Sequence, residues 1–409
     1  MVVVLTVSAC SSSKSSKSGG TTAAGSGSSS AANGSPINIM QIDDVTSPNG
    51  LAYPSIAESA KSTVADINAR GGVAGHPIKL SVCDAQGDPN QTQACARKAV
   101  SDGVVAVVGS FTINAARLMP ILTDAKIPYI PSFAYDPTEF SSAVSYPVNS
   151  ALTSSPGMGV LAGKNCSSST YVTLDLPTSD FGIGLVQAGL KSEGKPPATV
   201  VKIPSKPGDY SPQAAQIAAT KSQCVIMGLG TSQGLALYPA LTNAGSTQRI
   251  VGYEGNSVSP ELVSKLPKQM EGALNLDFFP AYSGSKWDAY RTLTAKYSDP
   301  KKYDFSVAGA QLAYLSVLVF QKAVQAVLDA KLDVTAANLI TTLDKTTHLD
   351  IGPLLPPLNF STPAPIKGFG RMFLRDVTFE TVKDGKIVSL DNDTFHDMTS
   401  VLQAQLGTA

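Results

Sequence analysis

Ile37-Asn-Ile-Met-Gln-Ile-Asp43 and Ile78-Lys-Leu-Ser-Val-Cys83 are two short apolar runs that flank a helical pattern, and this stretch decides the fold. Between them, Pro54–Ala69 carries apolar residues at helical spacing, and Gly71 and Gly72 follow where the helix should end. Strand, helix and strand in this order are typical of a βαβ unit. We therefore predict a parallel sheet with helices on both of its faces.

The same alternation continues in two blocks, one ending near residue 130 and one starting after about residue 152. Strands are predicted at 104–108, 128–130, 171–174, 198–203, 224–229, 249–252, 371–382 and 387–390. Helices are predicted at 89–102, 114–125, 181–193, 285–297, 305–329 and 394–406. Two α/β blocks with a shared C-terminal region indicate an α/β fold of two doubly wound lobes joined by several crossings.

Composition excludes several classes of protein. The 409 residues hold 31 lysines and arginines against 31 aspartates and glutamates, so there is no basic excess for nucleic acid. Hydrophobic residues make up 43% of the chain, which excludes disorder over its whole length. The longest charge-free apolar stretch of the body, Val307 to Gln321, is shorter than a membrane-spanning helix requires, which excludes a channel.

The N-terminus predicts where the protein resides. Val7-Ser-Ala-Cys10 resembles the bacterial lipobox, in which the signal is cut before the cysteine and the thiol carries a lipid. We expect residues 1–9 to be a signal segment whose true start lies upstream. The next 25 residues, Ser11–Ser35, hold 11 serines and 5 glycines and predict a disordered tether. With the lipidated Cys10, residues 10–35 would hold an extracytoplasmic body at the outer face of a bacterial membrane.

Five cysteines leave an even number once Cys10 is set aside as the lipidated residue. In an oxidising compartment the other four should form disulfides. Pairing within each half of the chain gives Cys83–Cys95 and Cys166–Cys224, although sequence alone allows three connectivities. No C-x2-C pattern is present, so structural zinc is not expected, and three histidines offer little for any other metal site.

Gly230-Thr-Ser-Gln-Gly234 matches the G-x-S-x-G nucleophile elbow of serine hydrolases, with His348 and His396 downstream. Such a match arises easily by chance in a chain with 34 glycines, and Gly, Ser and Thr are also common at turns and helix starts. Gly182–Gly184 and Gly157–Gly159 lack the third glycine of a dinucleotide site. A serine hydrolase therefore remains only a minor alternative, and no cofactor is expected.

Several residues follow directly on the carboxyl ends of predicted strands, where open α/β sheets bind their ligands. They are Thr112, Asn114, Ser132, Phe181 and Glu254. Helix N-termini at that edge suit a carboxylate, and Glu254 could pair with an ammonium. The alternative for each hydroxyl is a helix cap, and for Glu254 a solvated loop charge.

Four segments carry a family resemblance. Val64–Gly72, Asp88-Pro-Asn90, Ala96–Gly103 and Val107-Val-Gly109 resemble type I periplasmic binding proteins, in the branch that serves branched-chain amino-acid ABC transporters. The resemblance covers Pro36 to about Asn392. It implies two α/β lobes joined by a three-crossing hinge, a ligand held between the lobes, and delivery to a membrane permease.

The resemblance also implies binding roles for particular residues. Glu254 is similar to the acid that holds the ligand α-ammonium, and Phe181 stands where the family has an aromatic that covers the ligand. Ser132 and Ala134 resemble the loop that touches the carboxylate, and Tyr53 falls within a residue of an aromatic in the first loop.

Other positions depart from the family pattern. Ile113 replaces a frequent carboxylate-binding serine, with Thr112 and Asn114 beside it as candidates. Gly230, followed by the candidate Thr231, stands where a ligand-contacting tyrosine is common. The first loop is unusually acidic at residues 43 and 44, which could favour a cationic solute. The fold and role therefore carry over, and leucine-like specificity does not.

These observations predict a non-enzymatic, lipid-anchored substrate-binding protein of an ABC importer, acting with a permease and its ATPase subunits. The ligand would be an amino acid or a similar small polar solute, with an amide, urea-type or aromatic-acid ligand as alternatives. Lobe 1 would comprise residues 36–151 and 281–356, and lobe 2 residues 152–280 and 357–402. A surface sensor or receptor without transport is the alternative from another class.

Overall fold

The computed structural model describes residues 33–48, 52–176, 179–206, 208–253 and 255–409. The signal segment, Cys10, nearly all of the tether and Glu254 lie outside the described residues. The strands are β1 Ile37–Asp43, β2 Ile78–Asp84, β3 Ala106–Val108, β4 Tyr129–Ile130, β5 Ser169–Leu174, β6 Thr199–Ile203, β7 Cys224–Gly228, β8 Arg249–Tyr253, β9 Leu274–Asp277, β10 Asp376–Lys383, β11 Lys386–Ser389 and β12 His396–Asp397.

The helices alternate with these strands through most of the chain. They are α1 Pro54–Ala69, α2 Pro89–Ser101, α3 Ala115–Asp124, α4 Ser154–Asn165, α5 Ser179–Ser192, α6 Ser211–Ala219, α7 Thr231–Asn243, α8 Pro260–Lys265, α9 Pro267–Met270, α10 Asp288–Tyr297, α11 Ala308–Asp329, α12 Ala336–Asp344 and α13 Thr399–Leu406. Short 3-10 turns precede α4 and α10.

Two sheets define two lobes, as the sequence predicts. The first sheet has the order β2-β1-β3-β4 and is parallel throughout. The second has the order β11-β10-β9-β8-β7-β5-β6 and is parallel from β6 to β9. Strands β10 and β11 add to it antiparallel, and β12 pairs with β10. The C-terminal strands therefore belong with the second lobe.

In the described part of the chain three crossings join the lobes: from β4 to α4, from β9 to α10, and from α12 to β10. Helices α10 and α11 return to the first lobe, where the Ser59 hydroxyl of α1 contacts the Tyr290 hydroxyl at 2.9 Å and donates to the Ala310 carbonyl at 2.5 Å. The proposed boundaries at 151/152, 280/281 and 356/357 stay a prediction.

Helix α11 is apolar on nearly all of its faces because it runs through the core. By length and composition alone it could cross a membrane, but 67% of its most apolar window is buried. The Ser316 hydroxyl inside it donates to the Pro131 carbonyl at 2.7 Å, just beyond β4. A buried core helix satisfies the same criteria as a spanning helix, so this feature is weak support for membrane insertion.

The two predicted disulfides are present. Cys83, in β2, pairs with Cys95, in α2, with 5.7 Å between Cα atoms. Cys166, just after α4, pairs with Cys224, the first residue of β7, with 6.0 Å between Cα atoms. Each bridge therefore lies within one lobe, and neither restrains one lobe against the other.

Gly159, from one of the two glycine pairs that do not match a nucleotide loop, has a packing role together with Gly189. Helices α4 and α5 cross closely because Gly159 and Gly189 face each other. A Cβ atom on Gly159 would meet the Val186 carbonyl, and one on Gly189 would meet the Pro156 carbonyl. Both glycines are required for the close approach of the two helix backbones.

Candidate functional site

A cavity of about 350 Å³ lies between the lobes, beyond the carboxyl ends of β1, β3 and β8. The first lobe contributes Tyr53, Ile56, Phe111, Phe133 and the 307–309 segment at the start of α11. The first crossing and the second lobe contribute Ala151, Ser154, Tyr253, Gly255 and Asn256. A cavity walled by both lobes can bury a small solute from two sides.

Aromatic rings form the wall on the first lobe. The Tyr53 ring meets the Phe111 ring edge-on, with centroids 4.9 Å apart. Phe111 in turn contacts Phe133 at 6.1 Å, and Phe133 contacts Phe278 at 5.8 Å across the second crossing. Edge-to-face packing of this kind holds the rings in fixed orientations. The first-lobe wall is therefore a largely apolar surface of rings in mutual contact.

The two acidic residues of the first loop brace this wall. Asp44 is buried and accepts hydrogen bonds from the Gly87 N–H at 2.8 Å, the Thr112 hydroxyl at 3.1 Å and the Ile113 N–H at 2.9 Å. Asp43 accepts from the Phe111 N–H at 2.5 Å, and burial raises the pKa of its carboxyl group. Neither residue lines the cavity, so the structure gives no support to the cationic-solute hypothesis.

A short loop after β8 forms the wall on the second lobe. Gly255 has φ +76°, a left-handed conformation that glycine adopts without strain. The Thr231 hydroxyl donates to the Asn256 carbonyl at 3.0 Å, and the Tyr238 hydroxyl donates to the Ser257 carbonyl at 2.5 Å. Hydroxyl groups of α7 therefore hold this loop in place.

Glu254, which comes between Tyr253 and Gly255 in the sequence, lies outside the described residues. Its neighbours Tyr253 and Gly255 both line the cavity. The ammonium-binding role of Glu254 stays a prediction.

Of the other predicted ligand-binding residues, Tyr53 lines the cavity. Thr112, Asn114, Ser132 and Ala134 are not among the lining residues, and direct ligand contact by them stays a prediction. The Thr112 hydroxyl donates a hydrogen bond to the Asp44 side chain, and Asn114 is the residue that precedes α3. The Ser132 hydroxyl donates to the Ser110 carbonyl at 3.1 Å, and the Ala134 carbonyl accepts from the Ala151 N–H at 3.0 Å. Ser132 and Ala134 are fully buried, so they position the loop and the first crossing.

The second-lobe candidates also stand outside the lining. Phe181 is 46% exposed in the first turn of α5, and Gly230 is the residue before α7. The Thr231 hydroxyl donates to the carbonyl of Asn256, which lines the cavity. Direct ligand contact by these residues remains a prediction.

The G-x-S-x-G segment has no histidine beside it in the described part of the chain. The exposed Ser232 hydroxyl donates to the Gln233 side chain at 3.0 Å. His396 pairs with Asp391 at 2.6 Å and stacks on Phe379 with centroids 4.1 Å apart. His348 is exposed. Among the described residues no cluster of histidine, cysteine or acidic side chains could hold a metal ion.

Sequence reasoning missed most of the cavity wall. Phe111 is next to the predicted residue Thr112 in the sequence, and Tyr253 is next to the predicted residue Glu254. The sequence signal for both was their position just after a predicted strand. Phe133 lies between the predicted Ser132 and Ala134. The start of α11 and Ser154 carried no such signal, because their approach to the cavity depends on the crossings.

The periplasmic binding protein family matches residues 36–385, which is most of the chain, and the protein belongs to this family. The resemblance to periplasmic binding proteins is thereby confirmed. A Leu/Ile/Val-binding protein of Rhizobium johnstonii is 34% identical over 80 residues, which are 20% of this chain and 22% of that protein. The match spans only about a fifth of that relative's length.

Solved structures share the fold over nearly the whole chain. A solute-binding protein from Rhodopseudomonas palustris, in complex with 3,4-dihydroxybenzoic acid, has a TM-score of 0.69 at 17% identity, covering 88% of this chain and 98% of that one. A fatty acid ABC transporter substrate-binding protein from Thermomonospora curvata scores 0.68 at 21% identity, covering 92% and 96%. A leucine-binding protein from Thermotoga maritima scores 0.66 at 17% identity, covering 88% and 99%.

Proposed function

We propose that this protein is the lipid-anchored, extracytoplasmic substrate-binding protein of an ABC importer. It captures an amino acid or a similar small polar solute between its lobes and presents it to a permease with ATPase subunits. The observation that supports this most strongly is the cavity walled by Tyr53, Phe111 and Phe133 on one lobe and by Tyr253 and Asn256 on the other.

Ligand capture would proceed by closure of the lobes about their three crossings. A solute that contacts both walls binds the closed form more tightly than the open form, so it shifts the population towards closure. The permease would then recognise the closed form. Each disulfide lies within one lobe, so neither opposes this motion.

The class of solute has to suit an apolar cavity. Solved structures of this fold include a solute-binding protein in complex with 3,4-dihydroxybenzoic acid, a fatty acid ABC transporter substrate-binding protein and a leucine-binding protein. The apolar first-lobe wall suits a solute that has an apolar portion beside its polar group.

A thermal-shift screen of small metabolites tests the proposal, because a ligand that binds only the folded protein raises its melting temperature. Amino acids, amides, ureas and aromatic acids should be included. We expect a saturable increase for one chemical class. If no solute in a broad screen shifts the melting temperature, the binding-protein proposal is contradicted.

The anchor is tested separately, with an intact signal sequence. The wild-type protein should enter the membrane or detergent fraction, and Cys10→Ala should be released or mislocalised because the lipidated thiol is gone. Serine substitution within the tether, Ala23→Ser, serves as the control and should leave partitioning unchanged. Equal membrane association of Cys10→Ala and wild type would exclude the lipoprotein hypothesis.

A further inference from the structure

An ion pair joins the two lobes at the β11 edge of the second sheet. The Lys286 Nζ atom lies 3.0 Å from the Asp393 Oδ2 atom, and the two side chains are 36% and 21% exposed. Lys286 belongs with the first lobe, because the next residue, Trp287, is buried and its ring packs against Tyr290 of α10 and Tyr314 of α11. Asp393 belongs with the second lobe, because its loop follows β11.

The loop that carries Asp393 is held in one conformation by its own contacts. Asn392 and Asp393 have φ +61° and +57°, a left-handed conformation that Asn and Asp adopt more readily than other non-glycine residues. The Asp393 N–H donates to the Ser389 hydroxyl at 2.6 Å, and the side chains of Asp391 and His396 pair at 2.6 Å. The loop therefore fixes the Asp393 backbone, and less entropy is lost when the carboxylate pairs across the lobes.

A second polar contact joins the lobes at the same edge. The Ser283 hydroxyl donates to the Ile387 carbonyl of β11 at 2.8 Å. The segment that carries Ser283 is fastened to the first lobe, because Arg291 of α10 donates to the Gly284 carbonyl at 2.9 Å. We call the ion pair and this hydrogen bond the edge latch.

The strand order places the edge latch and the solute cavity on opposite sides of two crossings. The second sheet runs β11-β10-β9-β8, and the latch lies at β11 whereas the cavity lies beyond β8. The second crossing leaves from β9 and the third enters β10, so both stand between the latch and the cavity. A rotation about these crossings that narrows the gap over the cavity widens the gap at β11.

We propose that the edge latch opposes closure of the lobes and must open when a solute is captured. This inference rests on the proposed function and adds a conformational control to it. The contacts of the latch stabilise the arrangement in which they are made, so part of the solute's binding free energy is used to break them. The latch therefore lowers solute affinity by the factor by which it disfavours the closed form.

The first test reverses one charge of the latch. Lys286→Glu places two carboxylates together, which should favour the closed form and raise solute affinity about two- to fivefold, the range expected for a partly exposed ion pair. Calorimetry at low salt on the full chain measures the affinity, with L-leucine, 3,4-dihydroxybenzoate and octanoate as probes. The gain should shrink at high salt, because salt screens exposed charges.

Two further variants separate the latch from a general effect of charge. Lys286→Glu combined with Asp393→Lys rebuilds the pair with its signs exchanged and should restore wild-type affinity. Lys98→Glu is the matched control, because Lys98 pairs with Asp102 at 2.8 Å within α2 of the first lobe. This control should bind each probe as wild type does.

Unchanged or lower affinity in Lys286→Glu would overturn the inference, as would failure of the exchanged pair to restore it. If none of the three probes binds, solute-free small-angle scattering decides: Lys286→Glu should have a smaller radius of gyration than wild type, and equal values would overturn the inference. The proposed function is judged separately by the broad thermal-shift screen, which does not depend on the latch.

Discussion

The two walls of the cavity are built by different means. The first-lobe wall consists of aromatic rings in mutual contact, and its loop is fastened by the carboxylates of Asp43 and Asp44. The second-lobe wall is a backbone loop around Gly255, fastened by hydroxyl groups of Thr231 and Tyr238. Behind the first wall, the Asp44 side chain alone accepts three hydrogen bonds, and bonds to a carboxylate are the stronger kind. The second wall is held by neutral bonds and is easier to alter.

The largest expected effect concerns the disulfides, one in each lobe. Cys83–Cys95 closes a loop with a sequence separation of 12, and Cys166–Cys224 one of 58. Loop-closure entropy predicts stabilisation of about 3 kcal/mol for the short loop and about 4 kcal/mol for the long one.

Denaturant unfolding of two variants measures this difference. Cys166→Ala with Cys224→Ala should lower the free energy of unfolding more than Cys83→Ala with Cys95→Ala does. An equal or reversed order would show that strand and helix packing, rather than loop length, sets the contribution of each bridge.

The next largest effect is expected when the hydrogen bonds that Asp44 accepts behind the first-lobe wall are removed. Asp44→Ala leaves the Gly87 and Ile113 N–H groups without their acceptor, which should lower the free energy of unfolding by about 3 kcal/mol. Solute affinity should fall as well, because the loop that carries Phe111 is released. Asp102→Ala, which breaks an exposed ion pair with Lys98, is the control and should cost less than about 1 kcal/mol. Similar losses in both variants would contradict the bracing role.

A smaller effect is expected at Glu254, tested on affinity. If the solute carries an ammonium, Glu254→Gln should lower affinity roughly 30-fold, because one partner of a desolvated charge pair is lost. Calorimetry with L-leucine and with 4-methylpentanoate, which lacks the ammonium, separates the two cases. Only L-leucine binding should respond. Unchanged affinity for a bound amino acid would mean that Glu254 does not hold its ammonium.

The smallest effect concerns the fastening of the second wall. Tyr238→Phe removes the donor to the Ser257 carbonyl and should lower the free energy of unfolding by about 1–2 kcal/mol. Solute affinity should fall less than in Asp44→Ala, since the neutral bond contributes less than the charged brace. A larger loss of affinity in Tyr238→Phe would reverse the comparison of the two walls.

The prediction of elements succeeded where periodicity was strong. The structure reproduces β1 and α1 with the bounds expected from the sequence. It adds α4, β9 and α12, which the sequence analysis did not identify. Helix α4 is rich in glycine, a poor helix former, and is stabilised by its contact with α5. Strand β9 has four residues and depends on its neighbours on both sides.

The C-terminal helix begins later than expected for a similar reason. Helix 394–406 was predicted, but His396–Asp397 pairs with β10 as β12, and α13 starts only at Thr399. The predicted helix 285–297 likewise opens with a 3-10 turn at Ser285–Trp287. The start of α13 is set by the pairing of β12 with β10, which joins segments far apart in sequence and cannot be read from local helix propensity.

The sequence by itself determined the α/β class and the two lobes, because these depend on local periodicity. For the disulfides it left three connectivities, of which the structure has the predicted one. The rule that ligands bind at the carboxyl ends of strands predicted where the site should lie. Only the tertiary structure decided which neighbour faces the cavity: Phe111 rather than Thr112, and Phe133 rather than Ser132. That choice depends on hydrogen bonds between residues far apart in sequence, such as Asp43 to Phe111, because these bonds set the direction in which each loop presents its side chains.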